Sequence, residues 1–300
     1  MPRIYTFGEA LMDITFRGGQ PVSSWPGGAM LNTSVSLGRL GLPVSLITEY
    51  GRDKVGDLID DFLKENGIGT DHVARFEGHR TTLALAFLDE NSNAEYSFYK
   101  DYPERRLQSR RPRPSKGDLF LFGSFFALDG AIRPVLTALL KEACEEGAFI
   151  YYDPNFRSSH LDELPALKKD ILENIGTAHL VRGSDEDFRN ILGAADAREA
   201  YEKIREYCPY LIYTASSRAV YLHTPRLSME VPVPPVKVVS TVGAGDTFNA
   251  GIASELFQRK ITPGMLDSLE EKEWQEILST GIRMAGKVCG KYENYVEKEF

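Results

Sequence analysis

The 300-residue chain is poor in cysteine and in net positive charge, and it has no long apolar run. Its three cysteines, Cys144, Cys208 and Cys289, are widely spaced and odd in number. That pattern excludes a disulfide framework and a cysteine-based metal site, and it suits a reducing compartment. No stretch of about 18 apolar residues occurs, so no membrane-spanning helix is expected. The opening "MPRIYTFGEALMDI" places Glu9 and Asp13 where a signal peptide needs an apolar run, which points to a cytoplasmic protein. Lysine and arginine total 35 against 43 aspartates and glutamates, a formal charge of −8. A broad nucleic-acid surface is therefore not expected, because phosphate backbones are held by clustered cations. The single basic stretch, "RRLQSRRPRPSKG" (105–117), has no interleaved aromatics and reads as a solvated connection. Two phosphate-binding signatures are also missing: no GxxxxGK[ST] occurs, and "GAGDTF" lacks the third glycine of a dinucleotide fingerprint.

What remains is ordinary globular composition, 42% apolar and 26% charged, long enough to bury a substantial core. From about residue 118, β-branched and aromatic runs alternate with amphipathic helical stretches, the pattern of a parallel sheet covered by helices. The strand candidates are "DLFLFGS" (118–124), "FIYYDPN" (149–155), "AHLVRGS" (178–184) and "YLIYTAS" (210–216). Each ends in small or polar residues, and in open α/β sheets ligands bind outside those carboxyl ends. "IRPVLTALLKEACEEG" and "ALKKDILENIG" read as intervening helices that stop at glycine. The N-terminal third predicts a strand, "RIYTFGEAL", and then the glycine-rich "PGGAMLNTSVSLGRLG", whose second half reads as a helix closing at Gly41. A strand "PVSLITEYG" and a helix "VGDLIDDFLKENG" follow. "RTTLALAFLDENSNAEYSFYK" predicts a hairpin turning at "DENSN", projecting as a flap. No internal repeat is seen.

The richest stretch is "VVSTVGAGDTFNAGIASELF". Gly243, Ala244 and Gly245 at a helix start would leave backbone N–H groups unpaired at the positive end of the helix dipole, with no side chain in front of them. Such a start is an anion site. Phe248, Ile252 and Leu256 recur every four residues and predict a buried stripe. Asp246, in the first turn, could simply cap the helix. Capping, however, needs no exposed amides. A carboxylate beside an anion hole suits transfer of a negatively charged group onto a hydroxyl, with the amides stabilising charge and the carboxylate receiving the proton.

"STVGAGDTFNAG" and "GGAMLNTSVSLGRLG" resemble the two signature regions of the PfkB (ribokinase-like) carbohydrate kinases. "GEALMDI", "TTLALAFLDENSNAEYSFYK" and "YYDPNFR" resemble further blocks of that family in the right order. The similarity spans nearly the whole chain and is strongest to fructokinases, with 2-keto-3-deoxygluconate kinases next. It implies an α/β ribokinase-like fold: a mostly parallel central sheet with helices on both faces, plus a small β lid. The lid would be formed mainly by about residues 75–105 and part of 12–25 of a single kinase domain.

The resemblance also implies roles. Asp246 would be the catalytic base, with the amides of Gly243, Ala244 and Gly245 cradling the moving phosphoryl group. Asp13, Gly27, Gly28 and Asn32 would hold the sugar; Asp13 otherwise reads as a loop aspartate, and Asn32 equally as a cap of the helix ending at Gly41. Arg157, Asp153 and Asn155 in "DPNFR" would lie near substrate or transferring phosphate, a solvated arginine being the other reading of Arg157. Lys100 on the flap would approach the sugar, although a lysine there is commonplace. For the nucleotide, Ser184 and Asp187 in "GSDEDF" take the places of an asparagine and a glutamate, with Asp187 acting on Mg²⁺ through water. Thr214 keeps its place in a block whose usual glycines are here Ser216 and Ala219. Ser240 replaces an aspartate that helps many relatives to bind potassium, which implies weak or absent potassium activation. The expected partners are ATP, Mg²⁺ and a small sugar, with homodimerisation through the lid. Three functions compete. An ATP-dependent kinase of fructose, a sugar acid or a nucleoside leads. A catalytically silent sensor on the same fold has no use for Asp246, and an oxidoreductase lacks its glycine fingerprint after the first strand.

Overall fold

A computed structural model describes residues 1–89 and 94–298. The first predicted strand is two. β1 (Ile4–Phe7) stops at Gly8, and β2 (Leu11–Arg17) turns into a second sheet, where it pairs with β3 (Gln20–Gly27). A side chain at Gly8 would run into Met30, so the break is packed directly against the next helix. That helix, α1 (Ala29–Arg39), starts immediately after Gly28, one turn earlier than its glycine-rich beginning suggests, and closes near Gly41 at φ 73°. β4 (Val44–Gly51), α2 (Lys54–Glu65) and β5 (Val73–Phe76) follow. β6 (Leu83–Leu88) and β7 (Ala94–Tyr99) form the expected hairpin; its turn, at residues 90–93, lies outside the described residues. The alternating unit then runs β8 (Leu119–Gly123), α3 (Arg133–Glu145), β9 (Phe149–Asp153), α4 (Leu164–Thr177), β10 (Leu180–Ser184), α5 (Asp185–Leu192), α6 (Ala197–Ile204) and β11 (Leu211–Ala215). The short strands β12 (Ala219–His223) and β13 (Ser228–Pro232) precede α7 (Ala244–Gln258) and α8 (Glu271–Cys289).

Among the described residues the main sheet has the order β13-β12-β11-β10-β9-β8-β1-β4-β5 and is parallel except for β12 and β13. Every residue of β1, β4, β8 and β9 is buried, the mark of strands covered on both faces. From β1 the chain moves outward through α1 to β4; from β8 it moves the other way. Right-handed crossovers running in opposite directions put α1 and α2 on one face and α3 to α6 on the other. α7 and α8 join α1. The reversal between β1 and β8 is the topological switch point where an open α/β sheet forms its ligand crevice. The second sheet has the order β3-β2-β6-β7 and projects from this end. The β12–β13 antiparallel edge was not read from the sequence; β12 is largely buried and β13 largely exposed, so the pair shows no common pattern of alternation.

The basic connection 105–117 departs from its solvated reading at one residue. Arg106 is 7% exposed, stacks on Tyr102 with its guanidinium carbon 3.6 Å from the ring centroid, and pairs with buried Glu49 and with Asp129. Removing one partner of a buried pair leaves the other charge uncompensated, so Arg106→Met is expected to cost about 3–5 kcal/mol of stability. Thermal melts check this. The loss should shrink on acidification, because burial already raises the Glu49 pKa and its protonated form tolerates the apolar setting.

Candidate active site

The loop ahead of α7 has the geometry of an anion hole. Gly243 takes φ 79°, and a β-carbon there would strike the Asn294 carbonyl of the C-terminal segment packed across it. The Ala244 N–H turns back to the Thr241 carbonyl at 3.2 Å. The N–H groups of Gly243, Gly245 and Asp246 have no hydrogen-bond partner among the described residues. The open set is therefore Gly243, Gly245 and Asp246, with Asp246 in place of the Ala244 that the sequence suggests. Phe248, Ile252 and Leu256 are buried as their spacing predicts and anchor this helix against α8.

Asp246 faces α1. Asn32 donates from Nδ2 to its Oδ2 at 2.8 Å, and the Thr33 hydroxyl donates to its main-chain carbonyl at 3.0 Å. Asn32 thus does not cap its own helix: the N-cap position is Gly28, with no side-chain cap bond. Its Oδ1 is buried without a partner. Burial pushes the Asp246 pKa up to about 6, moderated by the Asn32 hydrogen bond.

Across the crevice, β2 carries Asp13, whose pKa is raised to about 7 by burial and by the neighbouring charges of Glu9 and Asp246. Two glycines let the chain pack closely here, the first of them directly against Asp13. A β-carbon on Gly27 would overlap the Asp13 Oδ2, and Gly28, at φ 124°, lies against the Glu9 carbonyl. Lys100 is exposed at the end of β7, 3.9 Å from Glu9 Oε1. Asp13 pairs across the second sheet with Ala84, and Ala84 with Phe98, so Asp13 and Phe98 share one face; Tyr96 and Trp25 lie on the same face. All three aromatics are about half exposed.

At the end of β9 the sequence expectation divides. Arg157 is exposed and its side chain makes no hydrogen bond or ion pair among the described residues, and its charge favours ionisation of both Asp246 and Tyr96. Asp153 is not at the surface of the crevice. It is 2% exposed, and its Oδ2 accepts from Arg182 Nη1 at 3.0 Å and Asn249 Nδ2 at 2.5 Å, while its Oδ1 accepts from the Asn155 N–H at 3.2 Å. Asn155 is half-buried at φ 42°. Asp153 is thus an internal anchor, with both oxygens engaged inside the protein.

Ser184 and Thr214 stand side by side on β10 and β11, with their hydroxyls spent internally. Ser184 Oγ forms a capping box with Asp187. Thr214 Oγ1 accepts from Arg182 Nη2 at 2.8 Å. Both Asp187 oxygens are engaged, one by the Phe156 N–H and the other by the Ser184 N–H and hydroxyl. Burial raises the Asp187 pKa. Sequence reasoning overlooked Arg182, whose only signal was an arginine inside the apolar run "LVRGS". It also overlooked four exposed valines, Val236, Val238, Val239 and Val242, in the segment that leads into the loop.

A switch-point crevice with an anion hole, a carboxylate in that hole's first turn and a small sheet projecting beside it defines a ribokinase-like phosphotransferase. The profile of the pfkB family carbohydrate kinases matches residues 1–296, and the chain belongs to that family. It is 30% identical over 276 residues to a fructokinase from Rhizobium leguminosarum bv. trifolii, covering 88% of this chain and 83% of that one. A fructokinase double mutant from Vibrio cholerae O395 bound to fructose, ADP and a potassium ion superposes with a TM-score of 0.83 at 22% identity, over 98% of this chain and 94% of that one. Aminoimidazole riboside kinase from Salmonella enterica gives 0.81 at 21% identity in its complex with aminoimidazole riboside and an ATP analogue, over 97% and 94%. The chain is a fructokinase-like sugar kinase of an ATP-dependent family.

Proposed function

We propose that the protein transfers the γ-phosphoryl group of ATP to a primary hydroxyl of a small sugar, fructose foremost. One observation carries the reading: a carboxylate hydrogen-bonded to Asn32 sits beside the open amides of Gly243 and Gly245, facing a second carboxylate for which Gly27 makes room. Asp13 accepts from sugar hydroxyls, the free Asn32 Oδ1 from another, and Asp246 orients the attacking hydroxyl and receives its proton late in the transfer. The open amides hold the moving phosphoryl charge. The exposed valines of 236–242 offer apolar contact for the planar face of a base. No cluster of three His, Cys, Asp or Glu residues that could fix a metal exists among the described residues. This fits Mg²⁺ arriving on the nucleotide with several of its waters, where Asp187 acts by charge alone. The second sheet acts as a lid that excludes water.

A sugar acid is the second reading, favoured by one observation: Arg157 and Lys100 place two cations by the crevice, and Arg157 has no ion-pair partner among the described residues. A coupled assay across ketoses, aldoses, sugar acids and ribonucleosides decides, since fructose should give the highest kcat/KM. Highest activity on an acid would replace the first reading with the second.

Ser240 Oγ folds back onto its own loop, accepting from the Val242 N–H at 3.2 Å, and supplies no carboxylate for a monovalent cation. Replacing sodium by potassium at fixed ionic strength should leave the rate unchanged; a large increase would contradict this. The exposed Val22, Phe87 and Tyr99 of the second sheet suit a homodimer formed through the lid, which sedimentation would detect. The three cysteines are free, in keeping with a cytoplasmic site of action.

A further inference from the structure

Beneath the anion hole lies a charged group that the proposed chemistry has not used. Arg182, on β10, is 8% exposed. Its guanidinium reaches Asp153 and Thr214, and its buried Nε has no partner among the described residues. It lies against the loop: a β-carbon on Gly245 would stand 3.2 Å from Nη1 and 3.4 Å from Nη2, and the guanidinium carbon is 5.5 Å from the Phe248 ring centroid. The bland account is that Arg182 only neutralises Asp153. Yet Asp153 already accepts from Asn249 and from the Asn155 N–H. Buried ion pairs, moreover, seldom stabilise a fold better than neutral residues of the same size. The placement is informative, because this pair sits under a loop bare of side chains at the crevice.

We infer that Arg182 is a positioning residue for phosphoryl transfer, a fixed buried cation behind the loop that strengthens its hold on charge as the phosphoryl group moves. This rests on the kinase reading. Charge developing on the open side of the loop meets the guanidinium through a thin, poorly screened layer of backbone, where a cation acts more strongly than in water. Asp153 and Thr214 hold the guanidinium there, so no reorganisation is needed when the charge arrives. Asn249 and Tyr151, bonded to each other at 2.8 Å, brace Asp153 from below.

The deciding variant is the pair Arg182→Met, Asp153→Asn, which removes both charges and leaves no buried ion uncompensated. With both substrates saturating, kcat should fall about 10- to 100-fold, while the sugar dissociation constant and the melting temperature stay near wild type. Arg182→Lys, which keeps the charge, should recover most of the loss. Arg182→Met alone should also move the acid limb of the rate profile upward, because the uncovered Asp153 charge then opposes ionisation of Asp246. A paired variant that turns over at the wild-type rate would overturn the inference, as would an Arg182→Lys variant as slow as the pair. If the wild-type protein phosphorylates no sugar at all, the kinase reading fails first and takes this inference with it.

Discussion

Asp246→Asn is expected to lower kcat by about 10²–10⁴-fold, the usual worth of a positioned general base, with the sugar dissociation constant little changed. Asparagine keeps the shape and an acceptor for Asn32 but cannot take a proton. The pH profile supplies an independent check. Burial holds the Asp246 pKa near 6 instead of the ordinary 3.8, so wild-type turnover should rise as pH increases through about 6 and level off above it. That limb should be absent in the variant. Wild-type-like turnover in Asp246→Asn, or a wild-type rate flat from pH 5 to 7, would remove the role. The raised pKa also makes the carboxylate a better match for an alcohol than an exposed aspartate would be.

The second large effect belongs to Asp13. Each hydrogen bond to a charged group contributes roughly 1.5–3 kcal/mol, so Asp13→Asn should weaken sugar binding by about 10- to 100-fold. Stability should move the other way. The Asp13 pKa rises from 3.8 to about 7 on folding, so across that window the folded chain holds more protons than the unfolded one. Stability therefore falls as pH rises through it, and the full cost is present above pH 7. Removing the charge should stabilise the unliganded protein by roughly 1–3 kcal/mol at pH 8 and hardly at all at pH 4. Calorimetric melts of both proteins at the two pH values, beside sugar titrations, test this. A variant destabilised at pH 8 would mean that Asp13 makes folded-state contacts worth more than its desolvation costs. The expected stabilisation would instead show a site held against the preference of the fold, a trade common where function needs a strained arrangement.

How legible the site was depended on the reach of each interaction. The anion hole could be read because it is local: glycines, the helix start, the first-turn carboxylate and the apolar stripe lie within fourteen residues, Gly243 to Leu256. Glycines 27 and 28 were legible as a pair but not in purpose, since their reason is a carboxylate fourteen residues earlier and a carbonyl of the Glu9 turn. Asp153 was read without Arg182, the partner that the sequence did not reveal. An aspartate at a strand end looks the same whether it faces the crevice or the core, and what turns it inward is an arginine 29 residues away with an asparagine 96 away. The split of the first strand was hidden for a similar cause. Ile4 to Leu11 reads as one strand-like stretch, and the packing of Gly8 on Met30 marks where its two sheets part.

The sequence by itself determined the layered α/β plan, the order of strands and helices around β8 to β11, and the position of the phosphate-holding loop. Periodicity, turn residues and helix-start chemistry act between near neighbours and therefore survive in a linear record. The tertiary structure alone decided which carboxylates face each other across the crevice, which charges are buried beneath the loop, and which amides stay open. Those outcomes depend on distances between residues tens to hundreds of positions apart, and on the dielectric environment that packing creates around them.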